Sequence, residues 1–161
     1  MVEKVEEEVG KLLREQGLTV GTAESTTGGL ISHLINSVPG SSRYYKGSVV
    51  AYLREVKVKV LKVKPSTLKR HGSVSAEACA EMAQGVRKLL NVDIALAETG
   101  IAGPTTEPGI PVGTYFIGIT SGEGTEVRPY LFKGSREENN RHAAQAALSM
   151  LKVHLVRRKA C

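Results

Sequence analysis

The sequence predicts a three-layer α/β/α sandwich around a mixed, mostly parallel sheet. Three observations carry this expectation. Short strand-like runs alternate with amphipathic helical runs along most of the chain. One pair of strand-like runs is separated only by the turn around Gly122-Glu123-Gly124, so a single hairpin interrupts the parallel order. The chain has 161 residues, 41% hydrophobic and 24% charged, which suits a single domain over 1–161 with an ordinary core. With no Trp and two Phe, that core must be aliphatic.

The elements read as follows. Val2, Val5, Val9, Leu12 and Leu13 recur at helical spacing over residues 2–16, and Gly17 stops the pattern. Leu18 to Ala23 is a short apolar strand, and Gly28 to Ser37 is a helix ended by Pro39-Gly40. Tyr44 to Tyr52 is strand-like. Arg54 to Val63 fits two periods: Val56, Val58 and Val60 alternate as in a strand, whereas Val56, Val60 and Val63 share a helical face. Ser75 is a good N-cap for a helix carrying Cys79, Met82, Ala83, Val86, Leu89 and Leu90 on one side. Asp93 to Thr99 is a buried strand, and 100–113 is a Gly/Pro-rich loop. Strands follow at Gly113 to Thr120 and Thr125 to Phe132, with Pro129 placing the second at a sheet edge. Arg136 to Val156 closes the chain as a helix. Ligands of such sheets bind beyond the carboxyl ends of the strands, so loops 24–29, 52–57 and 99–113 are expected to converge.

Composition narrows the function. Cys79 and Cys161 form no disulfide framework and no CxxC zinc spacing, and no other metal-ligand spacing is present, so neither metal nor cofactor is expected. The charged N-terminus lacks the apolar segment of a signal peptide, and no run reaches the roughly 20 apolar residues of a membrane helix. A cytoplasmic location without membrane partners is the expectation. A net charge of +6 suits an anionic partner. That partner could be a phosphate ester, a nucleotide or nucleic acid; the basic Arg157-Arg158-Lys159 tail suits a helix C-terminus better than a DNA-binding arm, and aromatic platforms are scarce, so nucleic acid is the less expected of the three. Apolar faces on the first and last helices leave a homo-oligomer open.

Candidate chemistry centres on Thr22-Ala23-Glu24-Ser25-Thr26-Thr27-Gly28-Gly29. Ser25 sits at a strand-to-helix turn, where free N–H groups can hold a phosphate or an oxyanion and Gly28 and Gly29 permit close approach. Two readings are open at this point: a helix cap, or a nucleophile with a base. His33, His71, His142 and His154 form no triad pattern. A lysine base must be neutral, and the cations Arg54, Lys57, Lys59 and Lys62 would disfavour an ammonium among them if they face one another. Ser66-Thr67-Leu68-Lys69 matches an SxxK motif but lacks its SDN and KTG partners and follows Pro65 in a polar connection, so chance explains it. Gly40 to Ser48 fails as a P-loop because Tyr45 replaces its second Gly.

The run Thr22 to Leu30 resembles the TAESCTGGL signature of the CinA C-terminal domain family. So do Val38-Pro39-Gly40-Ser41-Ser42, Tyr44 to Tyr52, His71 to Ser75, Thr99-Gly100-Ile101-Ala102-Gly103-Pro104, Pro111 to Thr114 and Gly134-Ser135-Arg136. These motifs keep their order from about residue 5 to residue 155. The resemblance implies hydrolysis of the carboxamide of nicotinamide mononucleotide by a metal-free Ser/Lys mechanism. It places Ser25 on the family's serine and Lys57 on its lysine, and it favours a helix for 54–62. It covers only the C-terminal domain of full-length CinA, which implies a stand-alone form. Three departures stand out: Leu53 and Arg54 replace the usual Ser and Asn, Thr105 to Ile110 replaces a Gly-rich loop, and Ser135 replaces the common Asp.

The expected roles follow. Lys57 takes the Ser25 proton, and Tyr52 orients Lys57 or relays a proton. Backbone amides near Ser25 or Gly100 hold the oxyanion, and Thr99 bonds the substrate. Arg136, or else Arg141, binds the 5′-phosphate. A nucleotide-binding module without turnover and a competence or DNA-damage interaction protein are the alternative classes.

Overall fold

The computed structural model describes residues 1–161. Helix α1 (Val5–Gln16) leads into β1 (Val20–Glu24), α2 (Leu30–Asn36), a short turn of 3₁₀ helix (Ser41–Arg43) and β2 (Tyr45–Val50). Then come α3 (Arg54–Lys59), α4 (Pro65–His71), α5 (Ala76–Leu90), β3 (Ile94–Gly100), β4 (Thr114–Ser121), β5 (Gly124–Leu131) and α6 (Arg136–Ala160).

The sheet order is β2-β1-β3-β4-β5. The pairings of β1 with β2 and β3 are parallel, and those of β4 with β3 and β5 are antiparallel. The pairings are therefore evenly split, while in direction β4 alone runs against the other four strands. The hairpin is the expected one, and Pro129 lies on the edge strand β5, opposite Phe116.

Alternation along each strand builds the three layers. Val20, Ile94, Leu96, Ile117 and Ile119 face α1, α2 and α6, packing with Leu13, Ile31, Ile35, Leu148 and Leu151. Ala23, Ala95 and Ala97 point the other way, and their small size lets Met82, Ala83 and Val86 of α5 approach the sheet. Gly85 continues that close packing on the outer side of α5. A Cβ there would lie 1.9 Å from the Leu61 carbonyl oxygen, so the backbone after α3 rests directly on α5.

Several expected boundaries move. The first residues of the predicted 28–37 helix are not helical: Gly28 (φ 61°) and Gly29 (φ 106°) form a left-handed turn, and α2 begins at Leu30. The 54–63 segment is helical as far as Lys59. Residues 65–71, expected to be a polar connection, are helix α4, with Pro65 in the first turn, where its missing N–H costs nothing. Ser75 caps α5 as expected, its hydroxyl accepting the Ala78 N–H at 3.1 Å. No helix is long and apolar enough to cross a membrane.

Candidate active site

Because β1 and β3 run parallel and β2 ends beside β1, the carboxyl ends of these strands bring Ser25, the Ala51-Tyr52 backbone and Thr99-Gly100 together. Ser25, Tyr52, Thr99 and Gly100 border a cavity of about 320 Å³. Lys57 enters it from α3, and its side chain is 1% exposed. Its Nζ lies 3.0 Å from Ser25 Oγ, 2.7 Å from the Ala51 carbonyl oxygen and 2.9 Å from the Tyr52 carbonyl oxygen. A neutral amine has two N–H bonds and one lone pair. Two carbonyls can only accept, so they take the two N–H bonds, and the lone pair is left facing the Ser25 hydroxyl. An ammonium would donate to all three oxygens, so the geometry accommodates both forms, and only the neutral one turns a lone pair to Ser25.

Electrostatics shift the balance toward the neutral form. Burial is the largest influence and lowers the Lys57 pKa, with the nearby Arg54 charge adding to it and Glu98 opposing, to reach about 8. Arg54 is the first residue of α3, one turn before Lys57. Of the cationic cluster read in the sequence, it is the member that acts on Lys57.

The turn after β1 is held by two buried acids that the sequence patterns do not single out. Glu24 accepts the N–H groups of Gly29, Ile31 and Ser32. Glu98, on β3, accepts those of Ser25 at 3.0 Å and Thr27 at 3.1 Å. The start of α2 thus already holds an anion of the protein's own, and it is not an open phosphate site. The Gly100 N–H is also used, donating to Thr26 Oγ1. Thr26 N–H, between the two held amides, has no acceptor within the protein, and Thr26 borders the cavity. An acid within an otherwise apolar buried strand, as in Ala95-Leu96-Ala97-Glu98, is the sequence signal that points to Glu98.

The remaining candidates divide. Thr99 borders the cavity, its hydroxyl donating to the Ser73 carbonyl at 2.8 Å. Tyr52 contributes its carbonyl to Lys57 while its side chain, 60% exposed, lies at the rim. Arg136 reaches the cavity, one Nη donating to the Gly103 carbonyl at 2.8 Å. Arg141 is outside, paired with Glu137 on the surface of α6. Gly28 and Gly29 do not line the cavity; they shape the turn that delivers amides to Glu24. None of the four histidines borders it. No group of three or more His, Cys, Asp or Glu side chains is placed to hold a metal ion. A larger depression of about 810 Å³ lies at the far end, between the β4–β5 hairpin and the tail of α6. It contains no paired nucleophile and base, so the smaller cavity is the candidate site.

The model of the CinA C-terminal domain matches residues 2–155. The chain belongs to the CinA C-terminal domain family. A CinA-like protein of Sulfurihydrogenibium is 46% identical over 154 residues, covering 95% of this chain and 38% of the relative. A CinA-like protein of Thermotoga neapolitana is 44% identical over 157 residues, again 38% of the relative. The chain therefore spans well under half the length of these relatives. Among solved structures, a CinA superfamily protein of Klebsiella pneumoniae superposes with a TM-score of 0.93 at 31% identity, covering 95% of this chain and 96% of that one. A competence/damage-inducible protein of Agrobacterium tumefaciens gives 0.85 at 31% identity, covering 96% and 99%.

The departures from the CinA pattern now have positions. Leu53 is the N-cap of α3 and offers no side-chain acceptor, where a Ser would cap the helix. Ser135 still caps α6, accepting the Glu138 N–H at 3.2 Å. Thr105, Thr106 and Glu107 of the altered loop form part of the cavity rim.

Proposed function

We propose that this protein hydrolyses the carboxamide of nicotinamide mononucleotide to nicotinate mononucleotide and ammonia. The observation that carries the reading is the Lys57 amine, buried, held by two carbonyls and facing Ser25 Oγ at 3.0 Å.

Lys57 takes the Ser25 proton as Oγ attacks the carboxamide carbon. The oxyanion forms beside the Thr26 N–H. The Lys57 ammonium then protonates the departing nitrogen, the C–N bond breaks, and ammonia leaves an ester on Ser25. Water attacks that ester with Lys57 again taking a proton, and Ser25 is released as the alcohol. Arg136 has N–H groups left over after its bond to Gly103, and these suit a 5′-phosphate. The Tyr52 ring at the rim is free to lie against a cationic pyridinium.

Ammonia release from nicotinamide mononucleotide is the test, with wild type, Ser25→Ala and Lys57→Ala. Turnover by wild type and its loss in both variants supports the reading. Full activity in Ser25→Ala refutes the mechanism. Tight nucleotide binding by calorimetry without turnover would make the protein a binding module instead.

A further inference from the structure

Behind the nucleophile, one hydroxyl touches two carboxyl groups. Thr27 Oγ1 lies 2.7 Å from Glu24 Oε1 and 2.8 Å from Glu98 Oε2. All three side chains are buried, and both acids are fully so. A hydroxyl has one proton and can donate to one oxygen only. If both acids were ionised, the second contact would set two electron-rich oxygens together with no hydrogen between them, inside a low-dielectric core. A second proton is required, and a carboxyl must carry it.

The surroundings decide which one. Glu24 is ringed by donors: the N–H groups of Gly29, Ile31 and Ser32 and the hydroxyls of Thr27 and Ser48. That is the environment of a carboxylate. Glu98 has all its partners on Oε2, and its Oε1 is buried with none. An ionised carboxylate would leave that oxygen's charge unsolvated.

We infer that Glu98 is held as a neutral carboxylic acid that donates to Thr27, which in turn donates to ionised Glu24, and that this shared proton positions the Ser25 turn without placing a second negative charge beside Lys57. Burial, and more weakly the Glu24 charge, push the Glu98 carboxyl up, while the Thr27 N–H, the Thr27 hydroxyl and the Ser25 N–H pull it down. The titratable groups within its electrostatic reach are Glu24 on β1, Lys57 on α3, Cys79 on α5 and Tyr115 on β4, with Arg136 of α6 acting on Tyr115. The Lys57 value of about 8 already carries the upward pull of an ionised Glu98, which favours the ammonium; with Glu98 neutral that pull is gone. A neutral acid leaves the amine available, and this last consequence rests on the amidase reading above.

Infrared spectroscopy of the whole chain tests the proton directly. At neutral pH, wild type and Ser25→Ala should both show the C=O stretch of a buried carboxylic acid, shifted in D₂O, and Glu98→Gln should lack it. Thermal melts across weakly acidic to neutral pH give a second readout. A raised carboxyl contributes stability that is lost as pH rises through its folded value. Wild type should therefore lose stability relative to Glu98→Gln as pH climbs above the usual carboxylate range. Labelling of Ser25 by a small fluorophosphonate tests positioning. Glu98→Ala should lower the labelling rate roughly tenfold or more, and the neutral isostere Glu98→Gln should recover most of it. Absence of the band, or parallel melting curves, overturns the inference. A wild type that shows the band but never labels at Ser25 overturns the amidase reading and leaves the shared proton standing.

Discussion

Two serines in this chain stand near lysines, and the contrast between them is one of burial. Ser66 and Lys69 have the spacing of a known catalytic motif, three residues apart on α4, and both are exposed. Ser25 and Lys57 are 32 residues apart, yet their reactive atoms lie 3.0 Å apart in the interior. Arg70 is next to Lys69, just as Arg54 is one turn from Lys57, so a neighbouring cation is common to both. What differs is burial and the two carbonyls that fix the Lys57 amine. Spacing in sequence supplies proximity; only the tertiary fold supplies desolvation and two fixed carbonyl acceptors.

The largest effect follows from that difference. Ser25→Ala and Lys57→Ala should each lower kcat for ammonia release by about 10³-fold or more. Ser66→Ala and Lys69→Ala should stay within roughly twofold of wild type, since surface changes away from a site are nearly neutral. A large loss in either α4 variant would break the comparison.

A second pair repeats it at smaller scale. Arg136 and Arg141 are five residues apart on α6, but only Arg136 borders the cavity; Arg141 is tied to Glu137. Arg136→Ala should raise KM for the nucleotide about tenfold or more, the size of a lost charge-assisted contact, with kcat less affected. Arg141→Ala should leave KM unchanged. Equal effects would mean that the phosphate does not sit beside the start of α6.

The burial of Lys57 also carries a stability cost. Its folded pKa, about 8, lies below the ordinary 10.5, so between these values the unfolded chain binds more protons than the folded one. Stability contributed at this position therefore rises with pH across that window. Denaturant unfolding of wild type and Lys57→Met should show wild type gaining on the variant from pH 8 to pH 10, by about 2 kcal/mol. Parallel curves would mean that Lys57 is not desolvated.

Much of this arrangement is legible in the amino-acid sequence, and the limits are physical. The alternation of apolar runs marks the layers, because side-chain period and burial are local properties. Gly122-Glu123-Gly124 marks the hairpin for the same reason. Ser25 stands out at a strand end, but its own spacing cannot separate a cap from a nucleophile, and Lys57 is reached through the family resemblance. The allocation of backbone amides stays hidden. Whether the Ser25 N–H faces substrate or Glu98 depends on the register of β3 beside β1, a contact across 73 residues. The expectation of a free helix N-terminus fails on this point, as Glu24 fills it. The polar segment 65–71 does not read as a helix because Leu68 is its sole buried residue, which is too weak a pattern to show a period.

The smallest effect concerns Arg54, where the CinA pattern has Asn. Its guanidinium is exposed, so its field at Lys57 is screened by water and salt, but it acts across one helical turn on a buried amine. It lowers the Lys57 pKa, behind burial in size. Arg54→Gln should therefore move the acid limb of kcat/KM, centred near pH 8 in wild type, upward by a few tenths of a unit. Raising the ionic strength should move the wild-type limb the same way and the variant's limb less, since only wild type has that charge to screen. A limb that shifts downward on Arg54→Gln, or that responds to salt equally in both, would show that Arg54 acts by shaping α3 and not through its charge. The same substitution at Arg70 should leave the limb where it is, because Lys69 has water around it and faces no nucleophile that it could serve.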